Sequence, residues 1–309
     1  VDLERLVSCN VESMSQGQCR YGLLCNPEGG VIDDMILYRL DDAEFMMVVN
    51  AGTQAGDLAW IRDHLGPDTH VDDRSEETGK LDLQGPGAPA LLADLIDTPL
   101  QGLNYFRFLN TRIDGDAVLV SRTGYTGEIG FELYASVAAT IRLWDRFLEC
   151  GALPAGLGAR DTLRLEVGLP LYGHELNLNR NAAECGFTSV LSTDKEFVGC
   201  ESVRRASPSE SLLTGIVLQG RRAAREGDVV QLASGEPVGV VTSGSFAPSV
   251  GCAVALAYVL RAHAEPGQNV EVVTARQVLR GELSRTPFYK NGTARKPIRV
   301  FLEKNDDAE

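Results

Sequence analysis

The alternation of hydrophobic and polar residues predicts a β-hairpin near the start of the chain. Cys19–Cys25 and Val31–Leu40 both alternate in the manner of strands with one buried face. Between them, Asn26-Pro-Glu-Gly-Gly30 is rich in turn-forming residues. Glu44–Asn50 continues as a third strand. Gly56–Leu65 predicts a helix, because its large apolar residues recur on one side.

Strands and helices alternate irregularly in the next part of the chain. The strands predicted here are Leu81–Leu83, Tyr105–Leu109, Ala117–Arg122 and Phe131–Tyr134. A helix is predicted over Val137–Cys150, where Ile141, Trp144 and Phe147 recur at helical spacing and indicate its packed face. This irregular order favours an α+β fold over a doubly wound parallel sheet.

The last third of the chain contains only β-type segments. Six short hydrophobic runs, separated by Gly, Pro and Ser turns, are typical of a small barrel or sandwich. The polar stretch Ser207-Pro-Ser-Glu-Ser211 precedes them and marks a change in composition. We therefore predict two regions: residues 1–207 as an α+β core of two interleaved subdomains, and residues 208–309 as an all-β barrel domain.

Composition and charge narrow the classes of function. The 309 residues are 44% hydrophobic and 23% charged, as in ordinary globular proteins, and no run of apolar residues could span a membrane. A net charge of −14 argues against a nucleic-acid or anionic-membrane partner. The seven cysteines and four histidines have no spacing typical of disulfide frameworks or metal sites, which indicates a reducing cytoplasm and no metal.

Three glycine-rich segments could carry chemistry. Gly156-Leu-Gly-Ala-Arg160 lacks the third glycine of a dinucleotide motif, and Gln84-Gly-Pro-Gly87 lacks the lysine of a P-loop. No Gly-x-Ser-x-Gly motif supports a hydrolase. The third segment, Gly124-Tyr-Thr-Gly-Glu-Ile-Gly-Phe-Glu132, is either a plain hairpin or a loop that presents an aromatic ring and a carboxylate to a flat heterocycle. A carboxylate suits such a ligand because it accepts two parallel N–H hydrogen bonds.

Several segments resemble the glycine-cleavage T-protein family. The longest are Gly124-Tyr-Thr-Gly-Glu-Ile-Gly-Phe-Glu132 and Gly156-Leu-Gly-Ala-Arg-Asp-Thr-Leu-Arg-Leu-Glu-Val-Gly-Leu-Pro-Leu-Tyr-Gly173. Shorter matches follow in family order: Asn26-Pro-Glu-Gly-Gly-Val-Ile-Asp-Asp34, Val48-Val-Asn50, Leu83-Gln-Gly-Pro86, Thr242-Ser-Gly244, Pro248-Ser249 and Thr286-Pro-Phe-Tyr289. The resemblance implies a multi-domain cloverleaf around tetrahydrofolate, with two α/β layers and a C-terminal β-barrel.

The resemblance also implies an activity. Members of this family transfer the aminomethyl group of a lipoylated H-protein to tetrahydrofolate, giving methylene-tetrahydrofolate, ammonia and the dihydrolipoyl protein. The expected partners are therefore the H-protein and tetrahydrofolate, which is the acceptor substrate, with no metal. The expected compartment is the cytoplasm, or the mitochondrial matrix in a eukaryote.

The site residues implied by the resemblance lie in three parts of the sequence. Tyr125 is expected to pack on the folate, and Glu132, rather than Glu128, to bind the amino-pyrimidine edge of the pterin. Arg160 is expected to be a further substrate contact and Arg225 to hold the anionic glutamate end. For both arginines there is an alternative: Arg160 could pair with a neighbouring acid, and Arg225 lies in a run of arginines that water could solvate.

The sequence departs from the family pattern at three places. Ser8-Cys-Asn-Val11 stands where the family reads Thr-Asn-Asp-Val, so Asn10 occupies the position of the essential aspartate. A neutral amide can form hydrogen bonds but cannot accept a proton as a base, and losing a general base costs about 10²- to 10⁴-fold in rate. Ser189 stands in place of a tryptophan, and the family's N-terminal segment is expected to be missing. These departures leave two alternatives open: a folate-dependent demethylase of another methylated amine or sulfonium, and a folate-binding homologue without turnover.

Overall fold

The fold begins with a three-stranded antiparallel sheet, in a computed structural model that describes residues 2–186, 190–192, 194–206 and 209–302. Its elements are α1 (Asp2–Leu6), β1 (Cys19–Cys25), β2 (Val31–Arg39), β3 (Phe45–Val48) and α2 (Gln54–His64), and the strand order is β1-β2-β3. Buried and half-buried residues alternate along most of β2, which is the expected pattern for a strand with one face in a core. The predicted hairpin and third strand are confirmed.

A second antiparallel sheet carries two helices. Its elements are β4 (Thr78–Gln84), α3 (Ala88–Ala93), β5 (Phe108–Ile113), β6 (Asp116–Ser121), β7 (Gly130–Ser136) and α4 (Val137–Glu149), and the strand order is β4-β7-β6-β5. Leu92 of α3 and Leu143 and Phe147 of α4 pack with buried residues of the strands in one hydrophobic core. The helix α4 is confirmed, but its predicted packed face is only partly right, since Ile141 and Trp144 are exposed.

The C-terminal part forms a closed antiparallel barrel. After α5 (Leu157–Glu166) and α6 (Cys200–Arg205) come β8 (Ser211–Leu218), β9 (Val229–Gln231), β10 (Pro237–Ala247), β11 (Cys252–Leu260), β12 (Asn269–Val273) and β13 (Val278–Ser284). The barrel order is β10-β11-β8-β13-β12-β9, and closure leaves no free strand edge. The α+β class with a C-terminal barrel is therefore confirmed. The division near residue 208 stays a prediction, because residues 207 and 208 lie outside the described residues.

One strand prediction was displaced. Tyr105–Leu109 was expected as a strand, but β5 begins at Phe108 and continues to Ile113. Asp114 and Gly115 have φ of 49° and 90°, so they form a two-residue turn with both residues in the left-handed region. That turn type matches the twist of a hairpin, and it sets where β5 ends and β6 begins.

Helix α5 joins the barrel to the rest of the molecule. Arg164 on α5 donates through Nη2 to the Ser243 hydroxyl on β10 at 2.7 Å. The Tyr258 hydroxyl on β11 donates to the carbonyl of Glu175 at 2.7 Å. Among the described residues, every helix is too short or too polar to traverse a lipid bilayer. Buried hydrogen bonds thus connect α5 and the segment that follows it to the barrel.

Candidate functional site

Glu132 is a buried carboxylate on β7 that several protein groups hold in place. Lys80 Nζ lies 2.5 Å from its Oε1. The Thr123 and Tyr134 hydroxyls donate to its Oε2 at 2.5 and 3.2 Å. Burial alone would raise the pKa of Glu132, but Lys80 and the hydroxyl donors outweigh it and hold that pKa below its ordinary value. Glu132 is therefore a fixed negative charge at neutral pH.

Asp82 on β4 connects Glu132 to Arg160. Asp82 is the register partner of Glu132 across the two strands. Its carboxylate lies 3.6 Å from Lys80 Nζ and 3.3 Å from Arg160 Nη1. Burial raises the pKa of Asp82, opposed by Lys80 and Arg160 and assisted by Glu132. The side chain of Asp82 is 31% exposed against 4% for Glu132, so Asp82 is the carboxylate of the pair that a ligand reaches more easily.

Tyr125 contacts Arg160, the last of the linked charged residues Glu132, Asp82 and Arg160. The guanidinium of Arg160 stacks over its ring at 4.7 Å from the centroid, which is a cation–π contact. The Tyr125 hydroxyl donates to the carbonyl of Pro170, and burial raises the pKa of that hydroxyl. The ring is thus fixed in orientation. A flat ligand that stacks on Tyr125 either uses the opposite face of the ring or displaces Arg160.

The loop that carries Tyr125 is shaped by its glycines and by the C-terminal segment. Gly127 has φ of +75°, and a Cβ at that position would lie 2.3 Å from the Val167 side chain. Thr293 Oγ1 accepts a hydrogen bond from the Ile129 amide at 2.9 Å and donates to the Glu128 carboxylate. Glu128 therefore supports the loop, whereas Glu132 belongs to the charged cluster.

Asn10 lies in a segment that runs antiparallel beside β1. Three contacts set its position: the bridge between Val7 and Leu24, the hydrogen bond from Ser8 N to Leu23 O at 3.0 Å, and the Cys9 thiol, whose Sγ would lie 2.8 Å from a Cβ at Gly22. The Arg20 guanidinium donates to the carbonyl of Asn10, so Asn10 lies near the first residues of β1.

The segment around Asn10 is anchored largely through backbone groups. Lys195 Nζ donates to the carbonyl of Cys9 at 2.6 Å and lies 3.3 Å from the Glu4 carboxylate. Burial lowers the pKa of Lys195, opposed by Glu4. The side chain of Asn10 accepts a hydrogen bond from the Ser13 amide at 2.9 Å through Oδ1. An amide at position 10 is thus accommodated as a local turn acceptor.

The first sheet contributes an ionisable carboxylate to the same region. The Tyr21 hydroxyl donates to Asp34 Oδ2 at 3.0 Å, and Asn50 Nδ2 donates to Asp34 Oδ1 at 2.9 Å. Burial, followed by the charge of Asp33, raises the pKa of Asp34 to about 6. Asp34 in turn raises the pKa of Tyr125. Asp34 and the Tyr125 hydroxyl therefore lie close enough for their charges to interact.

Arg225 lies on the barrel, at the edge that faces α5. Its Nη1 donates to the carbonyl of Gly244 at 2.6 Å. The preceding residue, Ser243, accepts the hydrogen bond from Arg164, one turn along α5 from Arg160. Within the described ranges, no hydrogen bond or ion pair joins Arg225 directly to the other four predicted residues. The structure thus brings Tyr125, Arg160 and Glu132 into one cluster, and within the described residues no hydrogen bond or ion pair joins Asn10 or Arg225 directly to it.

Comparisons with known proteins show the family of the chain. A model described as the GCVT N-terminal domain matches residues 2–195, and one described as the glycine cleavage T-protein C-terminal barrel domain matches residues 212–290. The chain belongs to the glycine-cleavage T-protein family. The aminomethyltransferase of Herpetosiphon aurantiacus is 40% identical over 94% of this chain and 82% of its own length, and that of Rubrobacter xylanophilus is 41% identical over 93% and 77%.

A solved structure supports the same assignment. The glycine cleavage system aminomethyltransferase T from Bartonella henselae superposes with a TM-score of 0.84 at 30% identity, over 93% of this chain and 80% of that one. The resemblance stated from the sequence motifs is therefore confirmed. Members of this family are transferases, and the named relatives are aminomethyltransferases.

Sequence reasoning did not name four residues that the structure places in the site of this family member: Lys80, Asp82, Tyr21 and Asp34. The alternation Lys80-Leu-Asp82-Leu does put both charged side chains on one face of β4, so a signal existed. No such signal predicts that Tyr21 meets Asp34. Ser189 lies outside the described residues. No group of histidine, cysteine or acidic residues in the described part of the chain could hold a metal ion.

Proposed function

We propose that this chain is a tetrahydrofolate-dependent aminomethyltransferase of glycine cleavage. One observation carries the proposal: Tyr125 and Glu132 from one segment and Arg160 from α5 are linked through Asp82 of β4 into a single cluster. Asn10, at the position that the resemblance assigns to the family's aspartate, lies in the segment before β1. Family membership supports transferase chemistry, and this cluster supports a pterin as the group that is bound.

The cluster has the chemistry that a reduced pterin requires. The pterin is flat and carries a row of N–H donors on its amino-pyrimidine edge, so it fits an aromatic ring next to carboxylates. Tyr125 offers the ring, and Asp82 and Glu132 offer acceptors. The folate tail ends in carboxylates, for which Arg225 at the barrel edge is an exposed cation. The carboxylates of the cluster therefore suit the pterin end of tetrahydrofolate, and Arg225 suits its carboxylate end.

The proposed reaction makes two C–N bonds and breaks one C–N and one C–S bond. The N5 and N10 atoms of tetrahydrofolate bind the aminomethyl carbon, while ammonia and the lipoyl sulfur leave. One of the two N–H protons that tetrahydrofolate loses ends on ammonia and the other on the sulfur. The protein's part is to orient the pterin and to hold the first proton in transit. The donor is a lipoylated H-protein, and no step needs a metal.

The proposal is tested by binding and by turnover. Calorimetry with tetrahydrofolate measures binding, and ammonia release from aminomethylated H-protein measures transfer. Glu132→Gln should weaken tetrahydrofolate binding by about tenfold or more, because it removes a charged acceptor. The matched control is Glu128→Gln in the same loop, which contacts Thr293 and should bind as the wild type does. Absence of tetrahydrofolate binding by the wild type would contradict the proposal.

Asn10 is the reason to consider two alternative functions. A neutral amide at this position is compatible with a folate-dependent demethylase acting on a methylated amine or sulfonium, and with a folate-binding protein without turnover. Offering each donor class to the wild type separates these functions. Ammonia release from the H-protein supports glycine cleavage, methyl loss from a small amine or sulfonium supports the demethylase, and binding without either product supports the homologue without turnover.

A further inference from the structure

Three aspartates, Asp33 and Asp34 on β2 and Asp57 on α2, form a group that the proposed function does not yet use. Asp33 is fully buried and accepts hydrogen bonds from the Asn50 amide and the Thr53 hydroxyl, both at 2.9 Å. Asp57 is 1% exposed, and neither of its oxygens has a hydrogen-bond partner. Burial raises the pKa of Asp57 to about 7.

Asp34 is the member of this group that faces the candidate site. Its side chain is only partly buried, whereas Asp33 and Asp57 are closed off from solvent. The hydroxyl of Tyr21, a residue that is itself half-buried, donates to it at 3.0 Å. The carbonyl of Asn10 accepts a hydrogen bond from Arg20, the neighbour of Tyr21 in β1. A proton that reaches the Tyr21 oxygen therefore has a carboxylate one hydrogen bond away.

The surroundings of Asp34 keep its carboxyl group ready to change charge. The titratable groups that face it come from every neighbouring element: Asp33 on β2, Tyr21 on β1, Asp57 on α2, Tyr125 in the loop before β7, and Tyr172 after α5. None of them is a cation. The carboxylate is therefore stabilised only by neutral donors, which leaves it more basic than an aspartate in an ion pair.

We propose that the Tyr21–Asp34 pair accepts the proton that the family aspartate would take at position 10. This inference rests on the proposed aminomethyl transfer. When N5 of tetrahydrofolate binds the aminomethyl carbon, its proton passes to the Tyr21 oxygen as the Tyr21 hydroxyl proton moves to Asp34 Oδ2. The reverse movement then delivers one proton to the departing ammonia. The pair is regenerated, and no oxidant or further reactant is needed.

The first test removes each half of the pair. Asp34→Asn and Tyr21→Phe should each lower the turnover number for ammonia release by about 10²-fold or more, as for loss of a general base. Asp42→Asn, an exposed acid after the same strand, is the matched control and should stay within about twofold of wild type, because exposed substitutions rarely matter. Tetrahydrofolate binding should be retained in both test variants, and neither should have a lower unfolding midpoint than the wild type, which shows that folding is intact.

The second test asks whether a carboxylate at position 10 replaces the pair. Asn10→Asp combined with Asp34→Asn should recover at least about tenfold of the activity lost in Asp34→Asn alone. The wild-type rate should fall as the pH drops through about 6, where Asp34 gains its proton, and this limb should move to lower pH in the double variant.

The outcomes separate the two proposals. An Asp34→Asn or Tyr21→Phe variant as fast as wild type would overturn the inference and leave the proposed function intact. The same holds if Asn10→Asp fails to recover activity or if the acid limb does not move, since both results indicate a structural role for Asp34. A wild-type chain that binds tetrahydrofolate but releases no ammonia overturns aminomethyl transfer, and the inference with it.

Discussion

The buried ion pair between Arg164 and Glu175 should be the most sensitive point of the fold. Arg164 is 2% exposed and Glu175 is fully buried, with 3.0 Å between Nη1 and Oε2. Arg164 also contacts the Asp161 carboxylate at 2.8 Å and the Ser243 hydroxyl at 2.7 Å. Its loss would therefore affect α5, the following loop and the barrel together. We consider Arg164→Met, which keeps most of the side-chain volume.

The expected loss of stability comes from the Glu175 carboxylate, which stays buried when Arg164 is replaced. Glu175 Oε1 already has no hydrogen-bond partner, and without Arg164 its Oε2 keeps only the Leu171 amide, at 2.9 Å. Removing one partner of a buried ion pair costs about 3–5 kcal/mol, because the other charge stays buried and uncompensated. For 309 residues that unfold cooperatively, 4 kcal/mol corresponds to a fall in the unfolding midpoint of about 6 °C.

Urea denaturation of single and double variants measures this. Arg142→Met is the control, since Arg142 pairs with Asp116 at 2.7 Å but is 60% exposed, and its loss should cost about 1 kcal/mol or less. Adding Glu175→Gln to Arg164→Met removes the orphaned charge and should restore at least about 1 kcal/mol. The reasoning is refuted if Arg164→Met costs no more than the control, or if the two changes at the buried pair are simply additive.

Three further predictions concern charge, packing and thiol reactivity. Asp34→Asn should stabilise the protein by up to about 2 kcal/mol at pH 8 and by nothing near pH 4, as urea denaturation at both values can show. The reason is that a carboxyl group whose pKa is raised by folding, here to about 6, costs stability when ionised and none when protonated. Ile141→Gln, 61% exposed, should cost less than about 0.5 kcal/mol, against about 2–5 kcal/mol for the buried Leu143→Ala, in the same denaturation assay. Iodoacetamide followed by mass spectrometry should label the exposed Cys150 well before Cys9, whose pKa burial raises to about 11.

Local patterns predicted much of the fold because they report on local physics. Cys19–Cys25 and Val31–Arg39 formed the expected hairpin, since alternation and turn chemistry act within a few residues. The strand that ends at Ile113 was predicted too early in the chain because a local turn signal after it was missed. The Asp114-Gly115 pair was the decisive turn signal, and reading it would have extended the strand to the right residue.

The face of α4 was harder to predict, because helical spacing alone does not say which stripe meets the sheet. Two apolar stripes run along this helix, one with Leu143 and Phe147 and one with Ile141 and Trp144. Only the position of the second sheet selects between them. The sequence contains both stripes but not the sheet's position, so the prediction mixed residues from each.

The site depends on contacts between distant parts of the chain, which explains what the sequence could not show. Glu132 meets Asp82 only because β7 pairs with β4 in one particular register. Asp34 meets Tyr21 across a hairpin, but its effect on Tyr125 needs the two sheets to approach each other. The family resemblance identified the motifs but did not indicate that these side chains meet. The residues it implied remain predictions, with Tyr125, Arg160 and Glu132 now in one place.

The contacts around Asn10 show what the local fold requires at this position. Contacts from Arg20 and Lys195 anchor its segment through backbone carbonyls, so the local fold does not require a carboxylate at position 10. The side chain there can change without moving the site. A chain in which the aspartate is absent but the anchoring remains has lost a proton acceptor and kept the geometry. Under the proposed aminomethyl transfer we expect Asp34 to take that proton, because Asp34 accepts a hydrogen bond from Tyr21, and the next residue towards the start of β1, Arg20, holds the Asn10 carbonyl.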